Sequence, residues 1–429
     1  MKGNNSHLKT FFSGSLISIV GVGITGVLNY FIRRTLFMNM SEADYGTFYS
    51  AVAFLLMVGG FAELGLSQTG ALLIAENNTG SQKTRKISSC FSSLLSLKLI
   101  LATVVLILLL SCSRWILKDY LRTGNGLFYY LLAGMLFFQI LECTFYPLFS
   151  GLKDFVSYNF LQVTKALLLL SGIALFSRSG QLPAAAAVFF SVAILIVFIA
   201  GAIAFFREKI RLSWHPDRAV WTRLFQLSGF IAVSTTLLNM IYYMDTVMLT
   251  AIKGVTSSAL YNVALPIMQI VQAAMVFPLI ILPVAVQMSR EKRYLQLKQI
   301  SLWAIGVAAV AFPVTFLFFH LLSPWLIRIL FSAQYLAAAP AVSILCSGLI
   351  FYTLGSFLMQ IVLTMGGAGR MALITLFTSI CNVILNWCLI SLYDYIGAAC
   401  ATAGSYLIFS LATIVVLRQL IRKREQEML

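Results

Sequence analysis

The chain has 429 residues, of which 60% are hydrophobic and only 10% charged, with a mean hydropathy of +0.92 and a formal net charge of +16. Soluble domains run at about 45–50% apolar and about 25% charged residues, so a soluble fold of this composition has too few polar groups to cover its surface. The charge is dispersed among short segments between apolar runs, which excludes a nucleic-acid-binding surface and marks a polytopic membrane protein.

A helix crossing a hydrocarbon core of about 30 Å needs about 20 apolar residues. That ruler predicts twelve spans: 11–36, 45–73, 90–113, 127–149, 158–177, 182–206, 227–252, 257–286, 300–322, 339–364, 371–392 and 396–417. None of these runs shows the two-residue alternation of barrel strands, so the expected class is all-α. The first, SGSLISIVGVGITGVLNYF, is long enough to span and lacks a cleavage site leading to a polar mature start, so it reads as a retained helix and not a signal peptide. Arg33 and Arg34 stand at its far end. Glu63, Lys98, Glu142 and Lys165 follow in the near halves of spans 2, 3, 4 and 5. The longest polar connection, REKIRLSWHPDRAVWTR (207–223), separates six spans from six. The domain plan is therefore a lobe over 1–206, a linker over 207–226, a second lobe over 227–418 and a tail over 419–429.

Span 7 carries YYMDTVML, with Asp245 in its outer half. A lone carboxylate there costs a few kcal/mol and needs a partner, a water-filled cavity or a role in transport. Span 8 holds Pro266, Pro278 and Pro283, and Pro313 follows in span 9, which predicts bent helices with freed carbonyls. GGAG (366–369) has neither a preceding strand nor a following Lys-Ser/Thr, so it reads as a turn and not a phosphate loop. The seven cysteines form no CxxC pair, and with three histidines they give no metal cluster; no cofactor is expected.

An even number of spans puts both termini on one side. If that side is the cytoplasm, 20 of the 30 Lys+Arg lie inside and eight lie outside, with Lys98 and Lys165 within spans; this bias fixes the orientation. Asn77-Asn78-Thr79 then falls in the cytoplasm and is discarded as a glycosylation acceptor. With six spans each, the halves repeat in parallel about an axis along the membrane normal. Aligning Gly46 with Ala259 sets Phe48 on Tyr261, Ala51 on Ala264, and Asp245 within one residue of Arg33.

The four inner charges are two acids and two bases at similar depth. They read either as a structural ion-pair cluster or as a polar cavity in which the lysines meet phosphate. Arg33 and Arg34 either snorkel to outer headgroups or pair with Asp245 between the lobes. In the second case Asp245 is a gate residue or a coupling-ion site.

LFMNMSEADYGTFYSAVAFLLMVGGFAELGLSQTGALLIAE (36–76) resembles the first two spans of Wzx-type polysaccharide exporters, members of the multidrug/oligosaccharidyl-lipid/polysaccharide exporter superfamily. MDTVML…SSALYNVALPI (244–267), residues 331–370 and NVILNWCLISLYDYIGAACATAGSYL (382–407) carry the likeness over nearly the whole chain. The acid of span 7 and the Glu-Leu-Gly of span 2 match as Asp245 and Glu63-Leu64-Gly65. The resemblance implies two six-helix lobes around a central cavity that alternates access. It implies a flippase for oligosaccharide linked through phosphate or pyrophosphate to a polyprenol, acting in the cytoplasmic membrane for surface polysaccharide synthesis. Arg33, Arg34, Glu63, Lys98, Glu142, Lys165 and Asp245 are its expected transport residues, and Tyr30, Tyr242, Tyr243 and Tyr261 its expected sugar-stacking aromatics. Coupling to protons or sodium and contact with polymerase machinery go with this reading. Twelve spans argue against the fourteen-span lipid II branch. The competing reading is a cation-coupled drug antiporter of the same superfamily. No nucleophile–base set, metal motif or nucleotide loop supports an enzyme.

Overall fold

The computed structural model describes residues 2–78, 82–176, 181–213, 217–275, 288, 291 and 293–426. The described chain is helical throughout and divides into two compact units, Met1–Thr236 and Leu237–Leu429. Unit 1 contains α1 (Lys2–Asn39), α2 (Glu42–Glu63), α3 (Leu66–Glu76), α4 (Lys83–Ser111), α5 (Gly126–Glu142), α6 (Phe145–Gly151), α7 (Phe155–Phe176) and α8 (Leu182–Ala202). The boundary falls inside α9 (Arg218–Lys253), and unit 2 continues with α10 (Val255–Ala274), α11 (Tyr294–Leu330), α12 (Ala339–Thr364) and α13 (Ala368–Gln426). Helix is present in all twelve expected spans. Pro278 and Pro283 lie outside the described residues, whereas α10 runs through Pro266 and α11 through Pro313.

Local chemistry explains the boundaries. Ser41 caps α2, accepting from Asp44 N at 3.1 Å, and Glu42 and Asp44 place negative charge on the helix's positive end. Gly254 has φ +99°, which a residue with a Cβ adopts only under strain, and it separates α9 from α10. The first two residues of GGAG form the turn between α12 and α13, with Gly366 at φ +80°. Within α13, Asp394 departs from helical geometry (φ 57°, ψ −137°) and divides it into the two expected spans. Ser257 donates to Asp394 Oδ2 at 2.9 Å, and Lys253 to Ser391 O at 2.9 Å, so this corner is fastened to the α9–α10 junction.

Among the described residues, spans 2 and 4 are not the continuous helices the apolar runs suggest, and the helix of span 8 ends at Ala274. Span 2 breaks where Leu64 and Gly65 both enter left-handed geometry (φ 42° and 67°), separating α2 from α3. Span 4 breaks at Cys143–Thr144, between α5 and α6. Hydropathy counts apolar residues and is blind to such interruptions. In lipid each break strands backbone carbonyls that protein groups must satisfy.

The polar connection that begins at Arg207 is hydrogen-bonded to α4 of unit 1. Ser88, Ser92 and Ser93 of α4 accept from the backbone N–H groups of Arg211, Ser213 and Asp217 at 3.1, 2.9 and 3.0 Å, and Trp221 Nε1 donates to Ser93 O. Helix resumes at Arg218, and at the other end α13 extends to Gln426, through most of the expected tail. In unit 2, α12 and the second half of α13 pack through small residues: a Cβ on Gly355 would stand 2.4 Å from the Phe409 ring, and one on Gly348 would stand 2.8 Å from Ala403 Cβ. The outer face of α11 is lipid-exposed, with Trp303, Val310 and Leu321 about 70% accessible.

The serine contacts give a direct check. Replacing Ser88, Ser92 and Ser93 together by Ala removes three acceptors without altering the span. Limited trypsinolysis should then cut at Arg211 or Arg218 several-fold faster than in the unmodified protein, while the melting temperature in detergent changes little; equal cleavage rates would contradict the docked segment.

Candidate functional site

In unit 1 the four inner charges form two ion pairs, each built at a helix break. Lys98, wholly buried on α4, uses all three ammonium hydrogens: to Glu63 Oε1 at 2.8 Å, Ser67 Oγ at 2.8 Å and Cys143 O at 3.0 Å. Ser67 in turn donates to Glu63 Oε2 at 2.8 Å. Glu63 is the last residue of α2 and Ser67 lies in the first turn of α3, so the left-handed turn at Leu64–Gly65 brings both side chains to one ammonium. Cys143 supplies its carbonyl because α5 ends there. The network therefore ties the break in span 2 to the break in span 4 through a lysine on span 3.

The second pair sits beside the first. Lys165 Nζ meets Glu142 Oε2 at 2.6 Å, and Tyr146 donates to Glu142 Oε1 at 2.6 Å. Glu142 ends α5 and is 2% exposed, while Lys165 is 26% exposed; in the first pair Lys98 is at 0% and Glu63 at 24%. Each pair thus has one hidden member and one that reaches the surface. Of the two accessible groups, one is an acid and the other a base.

At the far end of α1, the Arg33 guanidinium stacks on the Tyr49 ring at 4.7 Å. This is a cation–π contact, worth about 0.5–2 kcal/mol depending on desolvation. Arg34 is half-buried one residue on. Tyr30 packs edge-on against Phe31.

Within unit 2, Asp245 is held by neutral donors. It is 4% exposed. Tyr261 on α10 donates to Oδ2 at 2.6 Å, Thr402 on the second half of α13 donates to the same oxygen, and Asn386 on the first half donates to Oδ1 at 2.7 Å. Asn386 also donates to Asn382 Oδ1 at 3.2 Å, and Asn382 donates to Ser405 Oγ at 3.1 Å. One carboxylate on α9 therefore gathers hydrogen bonds from α10 and both halves of α13. Neutral dipoles satisfy it without stripping water from a second charge, which is the costly part of a buried ion pair. Asn386 Oδ1 is buried and has no hydrogen-bond partner among the described residues.

The two units share a pattern: Arg33 meets Tyr49, and Asp245 meets Tyr261, each sixteen residues on, so both units set a charge near the end of one helix against a tyrosine of the next. Tyr261 is thereby removed from the sugar-stacking set: it is 1% exposed and its hydroxyl is committed to Asp245. Tyr242 remains 42% exposed, packs edge-on against Tyr243 at 4.8 Å and accepts from Gln269. Ser67, Tyr146, Asn382, Asn386 and Thr402 were absent from the residues expected from sequence. The pair Asn382/Asn386, one helical turn apart in an apolar run, was the readable signal for part of this set.

Burial makes the Lys98 pair asymmetric. Glu63→Ala strands a wholly buried ammonium and should destabilise unit 1 by about 3–5 kcal/mol. Lys98→Met strands a carboxylate that reaches the surface and should cost less. The double variant should melt close to Lys98→Met. Denaturant unfolding of the purified protein in detergent checks the order; equal costs for the two single variants would contradict it.

Residues 11–289 match the family described as Polysaccharide biosynthesis protein. An uncharacterised membrane protein, MJ1068, of Methanocaldococcus jannaschii is 25% identical over 98% of this chain and 84% of its own length. In fold, the chain is similar to a multidrug resistance MATE family transporter of the MOP superfamily in an inward-facing conformation (TM-score 0.75, 13% identity, 95% of this chain and 99% of that one). It is equally similar to the lipid II flippase MurJ in an inward closed conformation (TM-score 0.75, 14% identity, 95% and 89%). These neighbours are transporters and flippases, and the fold they share is an all-helical one of two lobes. The matched residues exceed half of the chain, and the protein is a member of the polysaccharide biosynthesis protein family, a multi-pass membrane protein with the fold of the MOP-superfamily flippases and transporters.

Proposed function

We propose that the protein is a flippase that moves oligosaccharide, linked through phosphate or pyrophosphate to a polyprenol, from the cytoplasmic to the outer leaflet of the cell membrane by alternating access. The observation that carries this reading is family membership across residues 11–289 in a chain with a transporter fold. The likeness to a flippase of lipid II, itself a lipid-linked saccharide, supports the substrate class. Both termini are cytoplasmic by the positive-inside bias.

In this reading Lys165, the accessible base of the inner cluster, draws the phosphate, and the buried Lys98 holds the broken helices of spans 2 and 4 in place. Arg33 and Arg34 act at the outer end of the path. Asp245 is the coupling site. Besides the Asn386 amide nitrogen, which donates to Oδ1, the groups around its carboxylate offer hard oxygens: the Asn386 and Asn382 carbonyls, the Thr402 hydroxyl and the Tyr261 phenol. This set suits a proton or a sodium ion, and the buried Asn386 carbonyl is an available ligand.

The drug-antiporter reading needs free acids for a cationic substrate. Glu63 and Glu142 are both paired with lysines of their own unit, so neither is free to meet a cation.

Deleting the gene and extracting polyprenol-linked glycans tests the proposal. Completed repeat units should accumulate and surface polymer should be lost; intact surface glycan with altered sensitivity to cationic drugs would point to the antiporter. In the deletion strain, Asp245→Asn should reach the membrane at normal abundance yet restore less than about a tenth of the surface polymer, the loss expected when a group essential to each transport cycle is removed. Full restoration would remove Asp245 from the coupling role.

A further inference from the structure

One feature of unit 2 is used by neither the family fold nor the transport reading. The start of α11, the last third of α12 and the end of α13 line an open groove. Lys298 and Arg418 stand at one end of it, and Leu302, Ile305, Leu358 and Ile414 form the wall. The two helices run in opposite directions here. Lys298 is in the second turn of α11, and Ile305 lies seven residues deeper, about 10 Å along the axis. Arg418 lies near the end of α13, and Ile414 is one turn deeper. Both basic residues thus occupy the polar end of the groove, and the apolar wall leads away from them into the span.

Neither basic side chain joins an ion pair among the described residues, whereas Arg293, a few residues away, is held by Glu291 at 2.7 Å. Ser301, also in the groove, donates its hydroxyl to Leu297 O at 2.7 Å and so is not offered to a ligand. Leu302 in the wall and Trp303 beside it are 50% and 70% exposed, so the surface faces lipid. Two cations at headgroup depth above an apolar channel match one molecule in both parts: a phosphate diester with a net negative charge and an attached acyl chain.

We propose that this groove binds one anionic phospholipid, with Lys298 and Arg418 on the headgroup phosphate and an acyl chain along Leu302, Ile305 and Ile414. The site uses none of the residues assigned to transport, and it stands whether or not the flippase reading does. By the orientation above it draws its lipid from the cytoplasmic leaflet, where anionic headgroups attract juxtamembrane basic residues. A phosphatidylcholine headgroup meets it less well, because its own choline cation opposes the two basic side chains.

The test uses the full-length protein purified in detergent and titrated with phosphatidylglycerol, phosphatidylcholine or inorganic phosphate. Bound lipid is read by native mass spectrometry, and stabilisation by melting temperature. Phosphatidylglycerol should bind saturably at one site and raise the melting temperature, and the other two should not. Lys298→Ala with Arg418→Ala should weaken that binding on the order of 10- to 30-fold, from about 1 kcal/mol for each basic residue. Ile305→Trp, which fills the groove and keeps both charges, should weaken it comparably, and Arg422→Ala, on the same helix end but outside the groove, should leave it unchanged. Equal binding of phosphatidylcholine, stabilisation by inorganic phosphate alone, an unaffected double variant, or an Arg422→Ala loss equal to that of the groove variants would each overturn the site.

Discussion

The requirement that no charge be left alone in the hydrocarbon region organises this molecule. A buried ammonium is tolerated only when its charge is paired and its hydrogens are used, and Lys98 meets both conditions with one carboxylate, one hydroxyl and one carbonyl. Those partners exist together because span 2 breaks after Glu63 and span 4 breaks after Glu142. The breaks would be unaffordable in a plain apolar bundle, since each frees carbonyls. Here the freed Cys143 carbonyl accepts from Lys98. Helix interruption and buried charge are therefore two halves of one solution.

Unit 2 solves the same problem with neutral groups. Asp245 is satisfied by an amide, a phenol and a hydroxyl from neighbouring helices. The contrast has a functional consequence. A carboxylate locked to a lysine is already neutralised, whereas one held by dipoles keeps its negative charge available to a small cation or a proton. A charge that must change partners during transport is better placed in the second environment, and a charge that fixes helix geometry in the first. The proposed roles, coupling for Asp245 and scaffolding for Lys98, rest on that difference.

The spans, their number and the class of the protein were legible in composition, because membrane insertion is itself a test of apolar length. The end of span 10 was readable to the residue, and Gly366 and Gly367 mark the turn after it, although the last two residues of GGAG already belong to α13. The presence of two acids and two bases at one depth announced neutralisation, but not which lysine met which acid. That choice depends on helix rotation, which a run of uniformly apolar residues does not encode. The break at Leu64–Gly65 was hidden for a related reason: leucine is a strong helix former, and only the hydrogen bonds of Glu63 and Ser67 repay its left-handed backbone. Tyr261 looked like an interfacial aromatic, and its burial against Asp245 emerges only when α9 and α10 are laid side by side. Asn382, Asn386 and Thr402 sit far from Asp245 in sequence, so their convergence is a property of the fold.

The central claim is that this chain carries a lipid-linked oligosaccharide across the bilayer and needs Asp245 to do so. The direct measurement is leaflet exchange of a polyprenyl-pyrophosphate-linked glycan in proteoliposomes, read by the accessibility of its sugar to a membrane-impermeant lectin. The account predicts that the purified protein exposes inner-leaflet glycan, and that Asp245→Asn, reconstituted at equal density, leaves it protected. Exchange no faster than in protein-free vesicles, or equal exchange by the Asp245→Asn variant, would contradict it.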